Sequence, residues 1–166
     1  MTLMTLDEAI RKNKETLKEI ITKYEEELNN NDFEAIYSKI DDCYVSTAFT
    51  ALLLKNNINP LEYMSYVPSD FMLEIDDIED FVIPNGIKKI KWYAITWCDF
   101  KSITIPKSVE IIEDSAFSNC EITDVYYKGP WDGWDNIKIE YDNEELLNAE
   151  LHMAPPIFNK RIIKWT

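Results

Sequence analysis

A period of 22 residues is the feature that most constrains the fold of this sequence. It is clearest where Ile83–Pro84 is followed by Ile105–Pro106. Further pairs of similar residues lie at the same offset: Ile87 with Val109, Ile90 with Ile112, Ala94 with Ala116, and Cys98 with Cys120. Because similar side chains return at a fixed interval, successive windings of the backbone are expected to stack on one another. The stretch Phe81–Tyr127 is therefore predicted to consist of stacked, equivalent turns.

Within each turn the predicted strand is short and its side chains alternate. Ile103 and Ile105 are expected to point inward, with Thr104 between them facing outward. The proline that follows turns the chain off the strand, where a missing N–H costs no ladder bond. Adding 22 residues again gives Val125 from Ile103, Tyr127 from Ile105 and Trp134 from Ile112. A period in this range is typical of leucine-rich repeats, so the sequence predicts a short solenoid of that kind.

Residues 5 to about 65 follow a helical period instead. Thr5 and Glu8 form a capping box, and apolar residues then recur at helical spacing as far as Leu28. This pattern predicts one long helix that ends near Asn29–Asn31. Shorter helices are expected to follow: one capped by Asp32, one capped by Ser46 or Thr47, and one that begins at Asn59–Pro60, buries Val67 and ends at Pro68.

The two patterns together predict an α+β protein in which an N-terminal helical bundle caps a short leucine-rich-repeat solenoid. Residues 1–80 would form the helical region, residues 81–152 the solenoid with its C-terminal cap, and residues 153–166 a basic, apolar tail. Caps are expected because the end turns of a solenoid cannot bury both faces by themselves. Residues 131–152 would form the second cap, with Trp131 and Trp134 as its apolar contents. Since no Gly/Ser-rich linker separates the halves, we expect one cooperative unit.

The repeated residues also resemble a known family. The blocks Ile83–Ile87 and Ile105–Val109 are similar to the BspA-type (type 5) leucine-rich repeat of bacterial and phage proteins, as are Ile112, Ala116–Phe117 and Cys120. The block Val125–Gly129, followed by Trp134, Ile137, Asn143, Leu147 and His152, is similar to the ending that such arrays often carry. The resemblance implies a binding scaffold with no shared catalytic residue, and it transfers no active site.

Composition argues against several kinds of active site. With three glycines in 166 residues, neither a GxGxxG loop nor a Walker loop can be written anywhere in the chain. The single histidine, His152, has no Ser or Cys nucleophile beside it with a supporting acid. Cys98 and Cys120 share a repeat position and are interpreted as small buried apolar groups, because the close cysteine pairs that zinc prefers are absent. We therefore expect no enzyme and no cofactor.

The net charge is more informative about partners. Lys and Arg total 17 against 31 Asp and Glu, so the formal net charge is −14. This excess argues against direct binding of nucleic acid or of anionic membranes, since both need clustered cations. Solubility alone is one interpretation. In the other, carboxylates spaced along a surface imitate DNA phosphates and occupy the basic groove of a protein partner, as anti-CRISPR proteins and other small acidic phage-encoded nuclease inhibitors do as a class.

The candidate partner-binding residues form two groups. One is the acidic run of Glu74, Asp76, Asp77, Glu79 and Asp80. This run lacks the central Gly and the closing Glu of an EF-hand, so we predict no metal there. The other is the solvent side of the predicted strands, where leucine-rich repeats usually meet partners. Its members are Val82, Thr104 and Tyr126, with Lys101 and Asp124 flanking them.

These observations predict a non-catalytic protein-binding module. The specific hypothesis is a phage-encoded inhibitor of a basic, nucleic-acid-handling bacterial defence protein, located in the cytoplasm of the host cell. Two alternatives stay open: a bacterial adhesion or scaffolding module, and a hydrolase that uses a pair of carboxylates in a cleft. The tail combines apolar residues with Lys160, Arg161 and Lys164. It would either fold back as a last strand or pair with a second subunit in a homodimer.

Overall fold

The structure, a computed structural model, describes residues 2–153. The tail from residue 154 onward, with its predicted folding back or pairing with a second subunit, lies outside the described residues.

Helices occupy the N-terminal part of the chain, as the sequence predicts. They are α1 (Leu6–Lys12), α2 (Lys14–Lys23), α3 (Glu25–Asn29), α4 (Phe33–Tyr37) and α5 (Cys43–Lys55), followed by a 3₁₀ helix at Pro60–Tyr63. The capping box of Thr5 and Glu8 is present at the start of α1. Within residues 2–153, no helix combines the length and the apolar character that a membrane span requires.

The predicted long first helix is divided into three segments. One break lies at Asn13, whose side-chain amide donates to the carbonyl of Ala9 at 2.9 Å. A side chain that bonds to a helical carbonyl in this way bends the helix, and here Asn13 leaves the helical φ/ψ region. The second break, at Tyr24, separates α2 from α3.

Two other details of the helical prediction are wrong. Helix α5 begins three residues earlier than Ser46, because the Asp42 carboxylate accepts from the amides of Tyr44 and Val45 at 2.8 and 3.0 Å. Ser46 is buried inside the helix. In place of the last predicted helix, the chain forms only the 3₁₀ helix. Val67 lies in strand β1, because its backbone pairs with β4 of the next unit and not with a helical turn.

The rest of the described chain is built from short strands that pair in parallel. They are β1 (Tyr66–Val67), β2 (Met72–Leu73), β3 (Asp80–Val82), β4 (Lys89–Ile90), β5 (Ile95–Thr96), β6 (Ser102–Ile105), β7 (Ile111–Ile112), β8 (Asp124–Tyr127), β9 (Lys138–Ile139) and β10 (Glu150–Met153). Two short helices, α6 (Trp131–Asp135) and α7 (Glu144–Leu147), lie among the last strands. Three sheets result, with orders β1-β4-β7-β9, β3-β6-β8-β10 and β2-β5.

The sheet registers confirm the 22-residue offset. Ile103 pairs with Val125 and Ile105 with Tyr127, while Phe81 pairs with Ile103 on the other side. We number the repeat units from the N-terminus: unit 1 contains β1–β3, unit 2 contains β4–β6, unit 3 contains β7 and β8, and unit 4 contains β9 and β10. The small repeated residues Ala94, Ala116, Cys98 and Cys120 are buried between the units, as predicted.

Strand pairing starts at Tyr66, before the point at which the 22-residue period becomes visible. The reason is one extra residue in unit 1. Tyr66 pairs with Lys89, an offset of 23, whereas the amide of Lys101 donates to the carbonyl of Glu79, an offset of 22. Leu73 still pairs at an offset of 23 and Asp80 at an offset of 22, so the extra residue lies between Leu73 and Asp80. Because of this residue, the start of unit 1 does not align with unit 2 at an offset of 22 in the sequence.

Unit 4 also departs from the period, because the chain before it is longer. Ile112 pairs with Ile139 and not with Trp134, because α6 is inserted between β8 and β9 and lengthens the unit. The structure places the two tryptophans that were predicted to fill a C-terminal cap in different surroundings. Trp134 packs on Tyr127 with ring centroids 5.5 Å apart, whereas Trp131 is 72% exposed.

Helices and repeat units share one hydrophobic core. A continuous series of aromatic contacts crosses from one part to the other, through Phe49, Tyr37, Phe71, Phe81 and Phe100, with centroid separations of 5.2 to 6.3 Å. Phe49 belongs to α5 and Tyr37 to α4, while Phe81 lies in β3 and Phe100 precedes β6. The fold is therefore α+β, with N-terminal helices packed against the parallel strands of the repeat units.

Candidate functional site

The sheet of longest strands, β3-β6-β8-β10, presents two rows of residues on its outer side. The parallel register aligns Val82, Thr104, Tyr126 and His152 in one row. It aligns Asp80, Ser102, Asp124 and Glu150 in the other. We call this surface the strand face. It brings together Asp80, Thr104, Asp124 and Tyr126, which were predicted from separate parts of the sequence.

The strand face is less open in its middle than the sequence suggests. Tyr126 is 36% exposed, but Thr104 is only 6% exposed. Thr104 lies on the central strand β6 and has a neighbouring strand on each side, with Val82 and Tyr126 opposite it. Thr104 alternates with the buried Ile103 and Ile105, as the sequence predicts, but it offers a partner little surface.

At the C-terminal edge of the strand face, Asp124 contacts His152 and is held in place. His152 Nε2 lies 2.8 Å from Asp124 Oδ1, and the Thr123 hydroxyl donates to Asp124 Oδ2 at 2.7 Å. The imidazole ring stacks on Tyr126, with centroids 4.7 Å apart. The bonds from Thr123 and then His152 lower the pKa of Asp124, so this carboxylate is charged at neutral pH.

The same edge holds the donors that could bind a metal ion. The ligand atoms of Asp124, Glu150 and His152 all lie within 4.8 Å of one another. One imidazole nitrogen and two carboxylate oxygens are donors that zinc accepts. The sequence analysis did not single out this group, because Asp124 and Glu150 are 26 residues apart and the fourth unit does not follow the 22-residue period.

The acidic run does not form one surface. Asp77, in the segment with the extra residue, accepts from the amide of Leu6 at 3.1 and 3.2 Å and so satisfies the start of α1. Asp80 accepts a hydrogen bond from the Ser102 hydroxyl on the strand face. Asp76 and Glu79 are exposed. Two of the predicted acids thus have structural partners, and they contribute less free charge than the sequence suggests.

Asp76 belongs instead to a row of carboxylates that runs across three repeat units. Asp99 occupies the equivalent position in unit 2 and Glu121 the one in unit 3; we call these three residues the carboxylate row. Partial burial first, then the neighbouring Asp76, raise the pKa of Asp99, and Glu121 acts in the same direction. Lys101 opposes this effect and forms an ion pair with Glu121. Asp76 and Glu121 therefore disfavour the charged form of Asp99, and Lys101 offsets part of that repulsion.

This repulsion predicts a pH-dependent effect on stability. Because the pKa of Asp99 is raised in the folded state, folding is favoured below its unfolded value, near about 4, and the advantage is lost as the pH rises through the folded pKa. Asp99→Asn is therefore expected to raise Tm slightly at pH 7 and to have no effect below about pH 4. Thermal unfolding of both chains across this range checks it, with Asp41→Asn as the matched control. A lower Tm for Asp99→Asn at pH 7 would contradict the repulsion.

Asp99 and Glu121 were missed by the sequence analysis for a specific reason. Their offset from Asp76 is 23 and then 22 residues, so a strict period does not align Asp76 with them. Lys101, which the sequence did single out, is exposed and lies beside the row through its ion pair with Glu121.

The buried cysteines behave as the sequence predicts. Cys98 and Cys120 are 2% and 5% exposed, and their thiols lie 3.4 Å from the carbonyls of Thr96 and Ile95. Contact with Cys98, followed by burial, raises the pKa of Cys120, so this thiol stays protonated.

Comparison with known proteins gives one family match. The model described as the BspA type leucine rich repeat region (6 copies) matches residues 65–132. The match begins one residue before β1 and ends in α6, so it covers units 1 to 3 of the strand pairing. No curated protein and no solved structure gives a significant match.

Proposed function

Residues 65–132 make this chain a BspA-like leucine-rich repeat protein, and on that premise we propose that it binds a basic protein through the carboxylate row. Repeat regions of this type are protein-binding modules and are typically non-catalytic. We propose the same for this chain: binding without catalysis, by a surface rather than by a pocket.

The observation that carries the proposal is the position of Asp76 and Glu121 near Asp99, whose pKa is raised first by partial burial and then by the charge of Asp76. The backbones of adjacent units are about 4.8 Å apart, so carboxylates at equivalent positions repel one another and cost stability unless a cation is nearby. Within the row, only Glu121 has an ion-pair partner in the described part of the chain, Lys101. Groups whose pKa is perturbed by like charges are typical of functional sites. A partner that supplies cations to Asp76 and Asp99 would remove this cost on binding.

The charge of the whole chain supports the same partner class. Residues 154–166 contain three of the 17 bases and no acid, so the described residues carry 14 bases against 31 acids, a formal net charge of −17. A field of this sign accelerates encounter with a cationic protein and is screened by salt.

In its specific form, we propose that the chain is a phage-encoded inhibitor that occupies the nucleic-acid groove of a basic bacterial defence protein, in the cytoplasm of the host. The repeat units would form a short solenoid that the helices cap, and the carboxylate row would take the place of phosphates. The chain itself would bind no nucleic acid. An adhesion or scaffolding module would instead bind a neutral surface ligand.

The experiment measures the affinity of proteins captured from a bacterial lysate by the full chain. We expect a cationic nuclease to be retained at about 50 mM NaCl and released at about 500 mM, where the Debye length is only a few ångström. DNA should compete with the chain for that nuclease, because both occupy the same groove. Retention of a neutral ligand at high salt would contradict the proposal.

Charge variants locate the surface. Asp76→Asn/Asp99→Asn/Glu121→Gln is expected to weaken binding at least about tenfold at low salt and to flatten its salt dependence. The matched control, Glu19→Gln/Glu25→Gln/Glu26→Gln, removes the same charge from exposed positions of the helices. Equal losses in both variants would mean that net charge, and not the carboxylate row, drives binding.

A further inference from the structure

Unit 2 holds two large aromatic residues in a backbone conformation that such residues rarely adopt. Tyr93 and Trp97 have φ values of +49° and +56°, in the left-handed region, and they flank strand β5. Their side chains are 46% and 41% exposed. For bulky residues this conformation is strained, and strain that persists at exposed positions is a reason to look for a function.

The equivalent positions in the neighbouring units contain different residues. The left-handed positions that correspond to Tyr93 are Asp70 in unit 1 and Ser115 in unit 3, and those that correspond to Trp97 are Glu74 and Asn119. The repeat geometry therefore requires the left-handed turns but not the aromatic rings. Since Trp92 is also exposed and packs edge-on against Tyr93, with centroids 5.6 Å apart, the rings are a feature of unit 2.

We propose that Trp92, Tyr93 and Trp97, here called the aromatic platform, bind the guanidinium and ammonium groups of the basic partner. This inference rests on the proposed function and names the chemistry by which the partner is recognised. The faces of indole and phenol rings attract cations, and the attraction grows when the contact is shielded from water.

Acidic residues lie next to the platform and select for a cation. Asp70 donates its amide to the carbonyl of Tyr93 at 2.9 Å, and Glu74 donates to Thr96, beside Trp97, at 3.0 Å. Each of these rings thus has a carboxylate-bearing residue at the same position of the adjacent unit, about 4.8 Å away along the stack. Glu113 accepts from the amide of Trp92 at 2.9 Å.

Two members of the carboxylate row lie close in sequence to the platform and to Glu74. Asp99 follows Trp97 by two residues, and Asp76 follows Glu74 by two. Glu74 also raises the pKa of Tyr44, which places the exposed phenol of α5 beside the same acidic edge. The fold already contains one contact of the proposed kind, because the ammonium of Lys91 lies 4.2 Å from the centre of the Tyr66 ring.

Arginine is the better ligand of the two cations. Its planar guanidinium stacks on aromatic rings and forms two parallel hydrogen bonds with a carboxylate, whereas the lysine ammonium is a strongly hydrated point charge. A neutral sugar would also stack on the rings, but it would not be drawn to flanking carboxylates. We therefore expect an arginine-rich segment of a protein as the occupant.

The test uses the full chain and a fluorescent nona-arginine peptide as the probe, with nona-lysine alongside. Tyr93→Ser/Trp97→Asn introduces the residues that unit 3 carries at these positions. We expect it to weaken nona-arginine binding about tenfold, the size of two partly shielded cation–π contacts, and to affect nona-lysine less. Because no charge changes, the salt dependence should stay as in the unmodified chain. Trp131→Ala, which removes an exposed tryptophan elsewhere, should bind normally.

The outcomes separate this inference from the proposed function. If the carboxylate variant loses affinity for nona-arginine while Tyr93→Ser/Trp97→Asn retains it, the platform inference is wrong and the proposed function stands. If the unmodified chain binds neither peptide, both are wrong. If a neutral cello-oligosaccharide binds and depends on Trp97, the occupant is a carbohydrate and the inference is overturned. A Tm within about 3 °C of the unmodified chain shows that the double variant is folded.

Discussion

Replacing Phe71 with alanine is expected to lower the free energy of unfolding by about 3–5 kcal/mol and to leave helices and repeat units unfolding together. Phe71 has no exposed surface. Its ring contacts Tyr37 of α4 at a centroid distance of 5.9 Å and Phe81 of β3 at 6.3 Å. The residue is thus the point at which the aromatic series passes from the helices to the strands. A cavity there removes packing from both sides at once.

Tryptophan distribution allows the two parts of the chain to be followed separately. None of the five tryptophans lies before residue 92, and four of them, Trp92, Trp97, Trp131 and Trp134, lie within units 2 to 4 or in α6 between units 3 and 4, so tryptophan fluorescence follows mainly this part of the chain. Far-ultraviolet circular dichroism at the helical minimum reports mainly on α1–α5. In urea, both signals of Phe71→Ala should change at one midpoint, lower than that of the unmodified chain.

Two control variants test whether the loss of stability comes from the cavity at Phe71. Phe71→Leu keeps most of the volume and should cost less than half as much, about 1–2 kcal/mol. Tyr141→Ala removes a side chain that is 83% exposed and should cost less than about 0.5 kcal/mol. Separate midpoints for the two signals would mean that helices and repeat units are independent, contrary to the shared core.

The sequence was most predictive where stacking is regular. Between β6 and β8 each residue has its counterpart 22 positions later, and both the register and the burial of Ile103, Ile105, Val125 and Tyr127 follow from that. The reason is physical: units of equal length place equivalent residues in equivalent surroundings, so one pattern of inward apolar residues repeats. The cap residues Thr5 and Asp32 were predictable on similar grounds, since their partners are three residues away.

The sequence was least predictive where the chain has extra residues between strands. One extra residue between Leu73 and Asp80 shifts unit 1 out of the period, and α6 shifts unit 4. Such insertions sit in turns, where they change length without changing the hydrophobic pattern. Their position follows only from strand pairing, which depends on contacts distant in sequence. Trp134 was assigned to the wrong partner for this reason.

The residues of the candidate binding surfaces were also predictable in the regular strands and not elsewhere. Tyr126 and Asp124 were found because they lie in a regular strand. Asp99 and Glu121 were not found because their alignment with Asp76 requires the shifted offset. Left-handed φ values at Tyr93 and Trp97 had no signal in the sequence at all, since the usual markers of such turns are Gly, Asn and Asp.

Asn143→Ala is expected to lower the free energy of unfolding by about 3–4 kcal/mol, because it leaves buried backbone groups without partners. Asn143 is 1% exposed, although it is polar. Its Oδ1 accepts from the amide of Phe117 at 3.3 Å, and its Nδ2 donates to the carbonyl of Glu113 at 2.9 Å. The same Nδ2 lies 3.1 and 3.2 Å from the carbonyls of Glu140 and Tyr141.

These bonds join unit 4 to unit 3 at a place where the insertion of α6 has broken the regular repeat. Asn143→Ala should therefore expose β9 and β10 first, and hydrogen exchange should show faster exchange there than in β6. Asn143→Asp keeps the acceptor but places a carboxylate oxygen against three carbonyls, so it should cost at least as much stability in urea as Asn143→Ala, and more as the pH rises. Asn148→Ala, at an exposed position, should change stability by less than about 0.5 kcal/mol. A loss of less than about 1 kcal/mol in the free energy of unfolding of Asn143→Ala would contradict this role. It would mean that water replaces the amide and that unit 4 is held by apolar contacts, chiefly those of the buried Leu146.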